Sequence, residues 1–245
     1  MSDEENGLGR GDRATLLTAA VSGLVLLATG FFQPPSGPTV GSATAAQIRT
    51  FVAAHSAGLK VGATAGMVAV IAVLVFTAAL AQLARARVPD SMFPRLTEIA
   101  GIFISFVLFL DAAAIASPLL LPDLVNTELA KVDDATVVSW YGLTGFTHFL
   151  GDLKMALMAL ALTSFSLVGL RGRLLPRWLL WLGLAFGACG AFGTIGITAA
   201  VSPLYWFWFA GLFGWALWIL LVSITLSLRW RRSGRAPLIP AATTP

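Results

Sequence analysis

The chain has 245 residues, 57% of them hydrophobic and 11% charged, with a mean hydropathy of +0.83. An average soluble domain is about 45–50% apolar and about 25% charged, so this composition excludes an ordinary soluble domain, a disordered chain and a disulfide scaffold. The apolar residues fall in long runs, and the net charge of +4 comes from basic residues at their ends, the pattern of an integral membrane protein and not of a nucleic-acid partner.

Cys189 is the single cysteine, so no disulfide forms within the chain. No zinc-ligand spacing, Walker loop or catalytic-metal helix motif is present, and neither a metal nor a cofactor is implied.

Residues 1–13 are polar and read as a cytoplasmic tail. The membrane domain covers 14–230, and 231–245 form a second tail rich in proline and alanine. The first apolar run, 14–32, is too long for a signal-peptide core and is read as a retained span. The Pro/Gly-rich stretch 33–38 stops it. Ser42 is expected to cap a short amphipathic helix near 43–56 lying at the interface, followed by a second span over 57–84 that ends at Arg85 and Arg87.

The third span is read over 97–118, stopping at Ser117-Pro118, with an acidic loop over 119–137 containing Asp123, Glu128, Asp133 and Asp134. Asp134 or Thr136 would cap a fourth helix reaching Leu170, whose apolar part is 149–170. Pro176 opens a fifth span over 176–200, Ser202-Pro203 make a tight turn, and the sixth span covers 204–228. The fold class is therefore all-α, a polytopic bundle of six transmembrane helices with a short interfacial helix before the second, and spans two to five are expected to form its centre.

Twelve arginines, among them Arg10, Arg85, Arg171 and Arg229, lie in the turns and tails assigned to one side, against Arg49, Lys60, Lys131 and Lys154 on the other. That bias places both termini in the cytoplasm of a multi-pass cell-membrane protein. The glycines Gly58, Gly62 and Gly66 in the second span, and Gly183, Gly187, Gly190, Gly193 and Gly196 in the fifth, read as close helix packing.

Charges inside a bilayer are costly, about 2.5–3.5 kcal/mol each on insertion scales, so each needs a reason. Asp111 is the clearest, 13 residues past Glu98 and about 20 Å into a core about 30 Å thick. Left unpaired, its carboxyl would favour the neutral form. Thr144, His148 and Asp152 share one face of the fourth helix. His55 and Lys60 stand near the outer end of the second span, and Lys60 and Lys154 read as snorkelling to the outer headgroups.

Two readings of these groups compete. They are structural partners that fix the helices, or Asp111, Asp152 and His148 form one acid pocket in the outer half of the membrane. The sixth span adds Trp208, Phe213, Trp215 and Trp218, which would line such a pocket with faces able to stabilise a cation. An acid beside such walls is suited to protonating an alkene and holding the carbocation. The expected ligand is a membrane lipid or isoprenoid; no oligomeric state is implied.

The stretch Arg171-Gly172-Arg173-Leu174-Leu175-Pro176-Arg177-Trp178-Leu179-Leu180-Trp181-Leu182-Gly183, with the amphipathic segment before the second span and the arginine-rich tail, resembles an actinobacterial family of six-span membrane proteins of unassigned function. In size, span number and intramembrane acids the chain is also similar to small integral-membrane terpene cyclases of bacterial indole-sesquiterpenoid pathways. That likeness matches no residue individually; on the reading of the residues above, proton-initiated cyclisation would use Asp111 as donor, tuned by Asp152 and His148. The alternatives are a proton-coupled transporter, an accessory membrane subunit, and a haem held by His55 and His148.

Overall fold

In the computed structural model, residues 10–32, 34–124 and 128–233 are described, without the side chains at 10–11, 122–124, 146–149 and 233. Six α-helices account for nearly all of them: α1 (Arg10–Thr29), α2 (Ala45–Arg87), α3 (Phe93–Leu124), α4 (Asp134–Gly172), α5 (Arg177–Thr198) and α6 (Tyr205–Ser233). All six are long and apolar enough to cross a membrane. No strand occurs among the described residues.

The helices close into a ring. Each packs on its sequence neighbours, and α1 packs on α6 as well as on α2. The expectation that spans two to five form the centre is therefore corrected. The main core draws Leu16, Ala19 and Ala20 from α1 and Trp215, Trp218 and Val222 from α6, together with Phe76, Leu80, Ile104 and Phe165. One end of the bundle carries the arginines: Asp12, Arg87, Leu174 and Arg229 line one small cavity there, so the start of α1 and the end of α6 lie together. At this end Arg85 pairs with Glu98, the Arg229 guanidinium donates to the Leu174 carbonyl, and Arg171 sits 5.3 Å from the centre of the Phe93 ring.

Two helix boundaries differ from the sequence reading, each for a local reason. No separate interfacial helix precedes the second span. Thr44, not Ser42, caps α2 through a reciprocal capping box with Gln47, and the helix then runs unbroken for 43 residues. No proline interrupts 45–87, so nothing ends the helix where the bilayer does. The third helix passes through Pro118, which has no N–H for the Ala114 carbonyl. The Ser117 hydroxyl donates to that carbonyl instead, at 2.7 Å, and the helix continues.

Other ends follow the expected chemistry. Asp133, one residue before the expected cap, accepts from the Thr136 N–H at 2.9 Å and caps α4. The Thr136 side chain first, and its backbone N–H second, hold the Asp133 carboxyl below the usual carboxylate value. Pro176 directly precedes α5.

At about 1.5 Å per residue, α2 is about 65 Å long and α4 nearly as long, twice the thickness of a hydrocarbon core. With their arginine-rich ends at one membrane face, α2, α3 and α4 project beyond the other. The projection has its own apolar core, built from Ile48, Val52, Leu59, Leu121, Val137 and Tyr141.

Arg49 ties this core together. It pairs with Asp134 at 2.8 Å and donates to the Leu129 carbonyl at 3.2 Å and to the Val132 carbonyl, with its side chain only 24% exposed. Hydrogen bonds from a charged donor contribute about 1.5–3 kcal/mol, so Arg49→Met is expected to destabilise the fold by about that amount. Faster proteolysis of the α3–α4 connection, with α5 and α6 still intact, is the measurement that checks it.

Candidate functional site

The segment between α1 and α2 folds back along α2 as a strap. The stripe Gly58, Gly62 and Gly66 receives it. A Cβ at Gly58 would lie 3.3 Å from Pro35, and one at Gly62 would lie 2.9 Å from Pro34. Only Gly66, facing Ala112 of α3, serves the helix–helix contact expected of all three. The Tyr141 hydroxyl fixes the far side of the strap by donating to the Pro38 carbonyl at 2.7 Å.

Beneath the strap lies a cavity of about 470 Å³ between α1, α2, α3, α4 and α6. Its walls are largely aliphatic and aromatic, with Leu26, Ala69, Met158, Phe213 and Trp215 among them. Asp111 and Lys154 enter it from α3 and α4. The Lys154 ammonium donates to Asp111 Oδ2 at 2.8 Å; the Lys154 side chain is 24% exposed and that of Asp111 14%. The second carboxylate oxygen, Oδ1, is buried with no hydrogen-bond partner. A net-neutral ion pair with one unsatisfied oxygen thus sits at the edge of an apolar chamber.

The partner of Asp111 corrects the sequence reading, in which Lys154 snorkels to the headgroups. Lys154 lies 17 residues before Arg171, and Asp111 lies 13 past Glu98. Both are therefore about 20–25 Å from the arginine-rich end, and opposite charges at equal depth on adjacent helices find each other. Matching the depths of the intramembrane charges was the signal that could have found the pair.

Asp152 is half-buried on α4 and does not line the cavity. His148 lies on α4, and its side chain falls outside the described residues. His55 and Lys60 are exposed on the projecting part of α2, where the His55 ring meets the Phe51 carbonyl through Nδ1 at 3.0 Å.

The aromatic residues of α6 divide. Phe213 and Trp215 line the cavity, and Trp215 stacks on Trp218 with ring centres 6.5 Å apart. Trp218 itself is a core residue: it is buried, packs edge-on against Phe165, and donates from Nε1 to the Leu179 carbonyl at 3.1 Å. Trp208 stands away from the cavity with its backbone against Gly193, and its Nε1 is buried without a hydrogen-bond partner. The site that results holds Asp111, Lys154, Phe213 and Trp215, with the strap as its roof.

No protein-family model, curated protein or solved structure matches this chain.

Proposed function

We propose that this integral membrane protein binds an apolar ligand, a membrane lipid or isoprenoid, in the chamber beneath the strap. The observation that carries the reading is the chamber itself. Its volume of about 470 Å³ falls in the range of small-molecule sites, about 300–1,000 Å³, and it joins apolar walls to one charged pair. The arginine bias supports a cytoplasmic position for both termini, which would set the chamber in the outer leaflet of the cell membrane.

Native mass spectrometry of the gently extracted protein tests this. Wild type is expected to retain a lipid or isoprenoid. Ala216→Phe, which adds a ring to the cavity wall, is expected to reduce its occupancy about ten-fold, a change of about 1.4 kcal/mol in binding. Equal adducts in both proteins, at equal melting temperature, would overturn the assignment.

A second reading, proton-initiated cyclisation or isomerisation of an isoprenoid, draws support from Trp215 and Phe213 beside Asp111. Those rings are suited to stabilising a carbocation. In the ion pair, however, Asp111 Oδ2 is engaged by the Lys154 ammonium. Catalysis would require the pair to open first. Product formation from an isoprenoid substrate that survives Asp111→Asn unchanged would exclude this chemistry at Asp111.

A further inference from the structure

A second, larger cleft of about 940 Å³ lies directly above the chamber, in the part of the protein that projects beyond the bilayer. The two adjoin. Pro34 of the strap and Ile115 of α3 line both. Along α3, Asp111 and Ile115 are one turn apart on one face, and Pro118 continues the wall upward. On α2, Gly62 borders the chamber and Leu59, one turn toward the helix start, borders the cleft. The two cavities therefore follow one another along α2 and α3, meeting at Pro34 and Ile115.

The chemistry of the walls changes from one to the other. The upper cleft presents the hydroxyls of Ser36, Thr39 and Thr144 and the ring of Phe51, and no charged side chain lines it among the described residues. At the neck, the Asp111–Lys154 pair is net neutral and gives an ionised headgroup no uncompensated partner.

From this geometry we infer that chamber and cleft form one site for a two-part amphiphile: its hydrocarbon lies below, and an uncharged, hydroxyl-rich head such as a sugar lies above. This rests on the apolar-ligand reading and names the ligand's class. Hydroxyl side chains and an aromatic face meet a polyhydroxyl head with matching donors and acceptors, whereas among the described residues no cation lines the cleft for a phosphate.

The test uses the full chain in nanodiscs doped at equal mole fraction with photoreactive probes. The probes are a monoglucosyl diacylglycerol, acyl-matched phosphatidylcholine and phosphatidylglycerol, and a long-chain alkane, each with a diazirine in the hydrocarbon. Crosslinking to Trp215 and Ile219 of α6, which are buried and line the chamber, reports its occupancy. The glucolipid is expected to label wild type about ten-fold more than either phospholipid.

Gly142 lines the cleft, and a Cβ there meets nothing within 4 Å, so Gly142→Trp fills the cleft without disturbing α4. This variant is expected to lose about ten-fold in glucolipid labelling and to keep alkane labelling at the wild-type level. Glucolipid labelling no stronger than that of the phospholipids, or unchanged in Gly142→Trp while the alkane still labels, overturns the inference and leaves the chamber standing. Absence of labelling by every probe overturns the apolar-ligand reading beneath it.

Discussion

Lys154→Met is expected to destabilise the protein by about 3–5 kcal/mol, the effect of removing one member of a buried ion pair. Asp111 already has one buried oxygen without a donor, and this substitution leaves the other without one. Asp111→Leu is expected to be milder. The four-carbon stem of Lys154 lets its ammonium reach toward the membrane surface, an escape the short carboxylate side chain lacks. The double substitution Asp111→Leu with Lys154→Met is expected to recover most of the loss, because two apolar groups then face an apolar chamber. Thermal unfolding of the four proteins in one detergent, followed by tryptophan fluorescence, gives the comparison. If Lys154→Met lies within about 1 kcal/mol of wild type, the pair contributes nothing and the argument built on it fails.

Gly193→Leu is expected to cost about 3 kcal/mol or more, at the upper end for overpacking. A Cβ at Gly193 would overlap the Cα and N of Trp208, and backbone atoms cannot swing aside as a side chain does. One turn of α5 away, Gly190 faces Gly211 of α6, where an added Cβ on Gly211 would come within 2.7 Å of the Gly190 Cα. The two helices thus meet with glycine on both sides, and any side chain at Gly193 forces them apart. Ala191→Leu, on the exposed face of the same helix, is the control and is expected to stay within about 0.5 kcal/mol of wild type. Equal melting temperatures for Gly193→Leu and Ala191→Leu would show that the α5–α6 contact tolerates separation.

These predictions concern features that were unequally legible in the sequence. Close packing of α5 was readable from Gly183, Gly187, Gly190, Gly193 and Gly196, but not its partners: a Cβ at Gly187 or Gly190 would face α4, Gly193 faces the Trp208 backbone of α6, and Gly183 lies between Ser166 of α4 and Trp218 of α6. The stripe on α2 carried the same signal but not the identity of what fills it. Gly58 and Gly62 accept prolines of the strap and not another helix. A small-residue face reports a close approach and says nothing of which chain segment approaches.

The candidate site was legible in part. Asp111, Phe213 and Trp215 were singled out and line the chamber. Trp218 shares their helix and their chemistry, yet it is spent on the core, its indole N–H on the Leu179 carbonyl. Side chains one turn apart on a helix look alike in the sequence, and a small rotation of that helix decides which of them faces a cavity. Lys154 was present as a charge whose partner went unrecognised, because pairing depends on depths and neighbours across two helices. Of the upper cleft only Thr144 stood out, as part of a polar face of the fourth helix; Ser36, Thr39 and Phe51 are ordinary residues that only the strap and the long helices bring together with it.

By itself the sequence determined the all-α class, the six apolar helices, the arginine-rich end and the presence of charges that hydrocarbon does not tolerate unpaired. Those properties follow from composition, run length and local periodicity, which are one-dimensional quantities. Tertiary structure alone decided the closed ring that includes α1, the second apolar core at the far end of α2 to α4, the Asp111–Lys154 pair and the two adjoining cavities. Each of these depends on which faces meet and at what height. Close-packed helices settle that only when all six are in place, because a shift of one helix against its neighbours changes every contact along its length.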